Sequence, residues 1–341
     1  MHCLSKLDHY IIPNDVVVKL GKIYRYVGNN DFYINSLGTD LNKVIDKTIE
    51  TDAYYLKKIL DLDISEARTK LLIYKNSSPR NKQEKTLVNL KETLAYIQNN
   101  YNDLSLQSND LYNLMNMVYS HYSKIGYATI KDDGYSLFVS QTSKSKRVIV
   151  NKMNDIIVDA INHDNIDKIV LYLNYFIDLY NLKPFEANNE SISLLVLYQL
   201  VLNADLNTFK YVSFFELIYN DYDHFKLELS NASVNWKENF SQTIGFVKYF
   251  FDSVLIAYKN TDLIIRNYLF DKNNKKYENL ETTILSYNSM FTKEDIRKVH
   301  PYVSESTINR TLYNLKDQGL IMPLGKGRSA KWIKNKDIQL S

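Results

Sequence analysis

The segment Ile192 to Leu202 (ISLLVLYQLVL) is apolar on every side when wound as a helix. No other stretch constrains the fold as much. A helix without a polar face has to be wrapped by its neighbours, which places it at the centre of a bundle. Upstream, Ile166, Ile169, Val170, Leu173, Phe176 and Ile177 share one face of a second helix. The chain has only 9 Gly and 5 Pro in 341 residues, which disfavours a turn-dense sandwich or barrel. The expected class is therefore mainly α.

Composition narrows the setting. At 45% hydrophobic and 24% charged residues, the chain is globular rather than disordered. Cys3 is the single cysteine, so neither an intramolecular disulfide nor a cysteine metal cluster can form. A reducing, cytoplasmic location is expected. The first residues contain no apolar core of a secretory signal. The most apolar run, Ile244 to Tyr258, is interrupted by Lys248 and Asp252, so no membrane partner is expected. The 28 tyrosines accompany abundant Lys, Asn and Ile, which points to AT-rich codons rather than to base stacking.

Charge is unevenly placed. Residues 291–341 hold ten Lys/Arg against five Asp/Glu, while the remaining chain holds 32 against 34. The same tail is well punctuated. Thr292 and Asp295 fit a capping box before a short helix. Ser304 or Ser306 can cap a second helix with Ile308, Leu312 and Leu315 on its apolar face, and Gly319 suits its C-terminal exit. Leu320–Ile321 and Ala330–Ile333 read as strands around the Gly325-Lys326-Gly327 turn. Two helices followed by a hairpin make a winged helix-turn-helix. In it, Thr307, Asn309, Arg310 and Asn314 would meet a groove of double-stranded DNA. Lys326, Arg328 and Lys331 would meet phosphates. Winged helices also serve as partner or dimer modules, and both uses stay open.

Two further segments matter. Residues 134–150 (GYSLFVSQTSKSKRVIV) read as a hairpin around the polar run Gln141–Lys146. Lys183–Glu190 (KPFEANNE) joins the two central helices. Pro184 disfavours helix at Lys183, and Asn188 and Asn189 are natural caps of the helix that follows. Such a loop faces free N–H groups and the positive end of the helix dipole, which favours an anion.

KPFEANNES with a buried helix behind it resembles the motif HxFx[DE][AG]N[GK]R of the Fic family, AMP-transferases related to Doc toxins. In an ungapped register Lys183 stands for the His, Phe185 for the Phe, Asn188 for the small residue and Asn189 for the Asn. Ala187 then stands for the acidic residue, Glu190 for the Gly/Lys, and Ser191 and Leu194 for the two arginines. A one-residue deletion would instead align Glu186-Ala187-Asn188 with the acidic-small-Asn triplet. Both registers remain open. Glu66-Ala67 and Ile73 are similar to the family's N-terminal helical domain, Leu87–Ile97 to the helix after it, and the 134–150 hairpin to its flap. Lys70, Tyr74 and Lys75 occupy the place of its inhibitory element.

The resemblance implies a Fic-like core at 105–270, an N-terminal helical domain at 1–104, and a winged helix at 271–341 after a linker near 271–276. In the family the His is a general base, the acid helps hold Mg²⁺, and the arginines hold ATP. None of these types is kept in the ungapped register. Lysine is a poor base unless desolvated. A carboxylate at Glu190 stabilises the helix dipole while repelling phosphate. Asn188, Asn189 and Glu190 are what remains of the nucleotide loop. The expectation is a Fic-like protein without AMP transfer, acting as a regulator on DNA or on a partner protein. It would use no cofactor and no metal. A protein partner at the flap and a homodimer are left open. The alternative is a divergent protein adenylyltransferase, with ATP and Mg²⁺, whose base would be Lys183.

Overall fold

The computed structural model describes residues 3–9, 11–122, 124–130, 145–163, 166–238, 240–273, 276–325 and 330–335. Helices dominate. They are α1 (Asn14–Val27), α2 (Asn30–Leu37), α3 (Leu41–Ile59), α4 (Glu66–Lys75), α5 (Lys82–Asn100), α6 (Ser108–Tyr119), α7 (Arg147–His163) and α8 (Lys168–Leu182). They continue as α9 (Asn189–Asn203), α10 (Phe214–Asn220), α11 (Tyr222–Ser233), α12 (Ile244–Asn273), α13 (Lys276–Ser286), α14 (Lys293–Val299) and α15 (Glu305–Asp317). A short antiparallel hairpin follows, β1 (Ile321–Pro323) and β2 (Trp332–Lys334). No described helix is long and apolar enough to cross a membrane.

The chain divides into two compact units. The first is Met1–Val27 with Thr48–Ala257, and the second is Gly28–Lys47 with Tyr258–Ser341. In the first unit α9 is buried on every side from Ser191 to Leu202, as its sequence requires. Its partner α8 is also buried from Ile169 to Leu179, so the single apolar face expected there is too narrow a reading. The polar side chains of α8 survive burial by being paired. Asp178 accepts N–H bonds from Cys3 (2.9 Å), Leu4 (3.1 Å) and the Trp236 indole (2.7 Å). Around this pair, α5 and α6 pack on α9, and α7 and α11 pack on α8. Each leucine removed from water in this way contributes about 2 kcal/mol.

Two polar links fix the surrounding helices. Arg68 on α4 grips Glu84 on α5 through Nε and Nη2 at 2.9 and 2.8 Å, and the Arg80 N–H adds a third donor at 2.7 Å. Asp52 on α3 is fully buried. Its Oδ1 accepts from the Ser213 hydroxyl (2.7 Å) and the Phe215 N–H (2.9 Å) at the start of α10.

The second unit has its own core, in which Ile308, Leu312, Leu315, Ile321 and Trp332 pack with Phe291 and Leu280. Its punctuation follows the sequence. Thr292 and Asp295 form a reciprocal capping box, Ser304 caps α15, and Gly319 takes φ +73°. Phe291 pairs with Trp332 as a further rung beside the hairpin. His300 is fully buried, with Nε2 2.9 Å from the Thr283 hydroxyl and Nδ1 3.0 Å from that of Tyr302.

Two local expectations need correction. Arg147–Val150 have the composition of a returning strand, yet they open α7. Val150, Met153 and Ile157 lie at helical spacing and are buried, so packing overrides the β-branched run. The rest of that hairpin, 134–144, lies outside the described residues. Asp271 is not part of an exposed linker. It is buried near the end of α12, accepting from Asn279 Nδ2 (2.5 Å) and the Tyr302 hydroxyl (2.7 Å).

Candidate functional site

The loop between α8 and α9 is built almost wholly by hydrogen bonds. Lys183 leaves α8 in the left-handed region at φ +46°, its N–H on the Leu179 carbonyl. The Lys146 ammonium donates to the Leu182 and Lys183 carbonyls at 2.7 and 3.2 Å, where the negative end of the α8 dipole favours a cation. The loop then runs beside the extended segment Gly126–Ala128. The Ala128 N–H reaches the Pro184 carbonyl at 2.8 Å, and the Glu186 N–H reaches that of Gly126 at 3.1 Å. Phe185 is buried there, its ring 4.5 Å from that of Tyr127.

Asn189 closes the turn. Its Oδ1 accepts from the Phe185 N–H and its Nδ2 donates to the Phe185 carbonyl, both at 2.8 Å. Asn188 holds the N-cap position at φ +56° but makes no side-chain cap bond. The expectation that both asparagines cap α9 therefore needs correction. Asn189 turns its amide backward onto the loop, because there it satisfies both backbone groups of a buried residue.

The mouth of α9 is negatively charged. Glu190 lies exposed in the first helical turn, and the Tyr222 hydroxyl donates to it at 3.4 Å. Burial, followed by the charge of Glu190, pushes Tyr222 up to about 12. Burial first and the same charge second also raise Tyr180. Behind Glu190, Ser191 is buried, accepting from Tyr119 (2.8 Å) and donating to the Asn188 carbonyl (2.9 Å). Leu194 is buried. Ala187 and Glu186 are both exposed, and one Glu186 carboxylate oxygen accepts from the Gly126 N–H at 3.2 Å. Lys183 is exposed at the helix end. Sequence reading missed Lys146, Gly126 and Tyr222. Nothing local marks them, since each is defined by contact with a distant part of the chain.

The residues singled out on α15 divide into two groups. Arg310 and Asn314 are exposed and share a stripe with Ser306, Tyr313 and Asp317. Thr307 is half-buried, its hydroxyl 2.9 Å from that of Ser304 in the cap. Asn309 is half-buried with Oδ1 turned away from solvent. Lys331 is exposed before β2, whereas Lys334 is held by the Leu285 carbonyl at 3.3 Å. Lys326 and Arg328 lie outside the described residues. Among the described residues, no three His, Cys, Asp or Glu side chains gather as a metal site.

No family model matches the sequence, and no curated protein matches it. Solved structures do. A Fic family protein from Desulfovibrio desulfuricans superposes with a TM-score of 0.51 at 13% identity, over 97% of this chain and 98% of its own. A Fic domain containing signaling protein from Bacteroides thetaiotaomicron gives 0.52 at 15% identity, over 71% of this chain and 95% of its own. Fic-1 from C. elegans gives 0.52 at 15%, over 72% of each chain. At such identities the likeness is one of fold: this chain has the helical Fic fold.

Proposed function

We propose that this chain is a Fic-fold protein that has lost AMP transfer and acts as a regulator, binding DNA or a partner protein through a C-terminal winged helix. The observation that carries the first half is the mouth of α9. The ungapped register is favoured by Asn188, because the left-handed region at φ +56° suits the motif's small residue. In that register the positions of the two arginines fall on Ser191 and Leu194, both buried and uncharged. Glu190 adds a carboxylate where the triphosphate would lie, and like charges repel there. In the ungapped register Mg²⁺ loses its acidic ligand, since Ala187 offers none there.

A base role for Lys183 has no support in its surroundings. Lys183 is exposed at the end of α8. Loss of the inhibitory element is part of the same reading. Its aligned positions hold Lys70, which pairs with Glu66 across 3.8 Å, and the half-buried Tyr74. With no arginine at Leu194 there is nothing for an inhibitory glutamate to pair with.

The second half rests on the helix order α14–α15–β1–β2 and the exposed Arg310, Asn314 and Lys331. Binding of the full chain to duplex DNA, measured by anisotropy across a salt series, tests it. Log affinity should fall linearly with log salt, and each of Arg310→Ala and Lys331→Ala should flatten the slope by about one. Affinity that ignores salt and both substitutions would refute the DNA reading and leave the partner-binding one.

A further inference from the structure

Lys58 on α3 is surrounded by tyrosines. Its ammonium lies 4.6 Å from the ring centre of Tyr54, 5.3 Å from that of Tyr55 and 5.1 Å from that of Tyr219. Each distance falls within the roughly 6 Å over which a ring face attracts a cation. All four residues belong to the first unit. Tyr54 and Tyr55 stand four and three residues before Lys58, the spacing at which side chains of one helix meet. That spacing accounts for two walls only. The third comes from α10, where Tyr219 is 37% exposed. Among the described residues, Lys82, Lys168, Lys210 and Lys226 also lie over tyrosines, but each meets a single ring.

The walls stand at angles to one another. The Tyr54 and Tyr55 rings cross at 86° with centres 5.1 Å apart, and Tyr219 is tilted 49° from Tyr55 at 5.4 Å. The Tyr54 hydroxyl donates to the Glu66 carboxylate, which fixes that ring. Crossed rings turn their faces to one enclosed cation. Lysine is a poor match for such walls. Its ammonium carries three N–H donors, and ring faces are weak acceptors. Among the described residues Lys58 makes no hydrogen bond and no ion pair. An N-trimethylammonium group has the same charge and no donor to satisfy, so aromatic walls suit it better. Lys58 is half-buried, and its flexible stem lets it withdraw into water.

We infer that Tyr54, Tyr55 and Tyr219 form a binding site for an N-trimethylammonium group, with Lys58 as a built-in competitor that the ligand displaces. The inference is independent of the α9 loop and of DNA binding.

The probes are choline, its neutral isostere 3,3-dimethylbutanol, and a short peptide carrying N-trimethyl-lysine beside its unmethylated form. Binding to the full chain is read from saturation transfer to the methyl protons. With Lys58 in the cage about nine-tenths of the time, Lys58→Ala should bind the two methylated cations about tenfold more tightly than the parent. The neutral isostere and the unmethylated peptide should bind at least about tenfold more weakly than their methylated partners. Tyr219→Ala in the Lys58→Ala protein should remove binding, and Tyr219→Phe should keep it. Tyr219 is an exposed ring, so both variants retain the fold. A peptide bound more tightly than choline names a methylated protein as the source, and equal binding names a free choline-type ligand; each upholds the site. No binding to the Lys58→Ala protein up to about 50 mM means that the rings serve Lys58 alone, and it overturns the inference. So does equal affinity for choline and its isostere, equal affinity with and without Lys58, or binding that ignores Tyr219→Ala.

Discussion

Replacing Asp52 with asparagine should make the first unit more stable as the pH rises through neutrality. Asp52 is fully buried, and burial pushes it from the ordinary aspartate value of 3.8 up to about 7, against the opposing effect of the Ser213 and Phe215 hydrogen bonds. Between those limits the folded state holds a proton that the unfolded state has released. Stability therefore declines from about pH 4 to about pH 7 and is level above that. The full displacement corresponds to a loss of about 4 kcal/mol. Asparagine keeps the Oδ1 acceptor for Ser213 and Phe215 and cannot ionise. The variant should thus equal the parent near pH 4 and exceed it by up to about 4 kcal/mol at pH 8. Urea unfolding followed by Trp236 fluorescence, in a Trp332→Phe background, reads this unit. Other titrating groups cancel in the difference between the two proteins. Parallel pH profiles, or a parent that gains on the variant with rising pH, would refute the reasoning.

Three further outcomes follow from the geometry. Asn189→Ala removes both bonds to Phe185 and strands its buried N–H, so it should cost about 2 kcal/mol in urea unfolding. The Arg68 hydrogen bonds, first among several causes, hold Glu84 down at about 2, below its ordinary 4.5. The stability this brings is present above pH 4.5 and lost as the pH falls towards 2, and Arg68→Ala should flatten that acid limb in a thermal-melt series. Leu194→Arg would place an unpaired charge in the core around α9, and a loss of about 3 kcal/mol or more should appear as a lowered melting temperature.

The parts of the fold that were legible in the sequence are those fixed by neighbours along the chain. Thr292 and Asp295, Ser304 and Gly319 specify their helix ends within three or four residues, and each does so in the structure. Ile192–Leu202 announced its own burial because no face of it is polar. What stayed hidden depends on partners far away. Arg147–Val150 carries strand propensity, and only the packing of Val150, Met153 and Ile157 makes it helix. The loop residues Lys183, Phe185 and Asn189 were identified, yet their roles depend on Lys146, Gly126 and Tyr127, which no local pattern ties to them. On α15 the helical repeat alone could not tell exposed Arg310 from Thr307, which the cap draws inward.

Titration of the purified full chain with Mg·ATP by calorimetry decides whether the α9 loop still serves a nucleotide. Glu190 at its mouth, with Ser191 and Leu194 behind it, predicts no heat of binding up to millimolar nucleotide. Saturable binding in the micromolar range would contradict the loss of transfer chemistry and return Lys183 to consideration as a catalytic group.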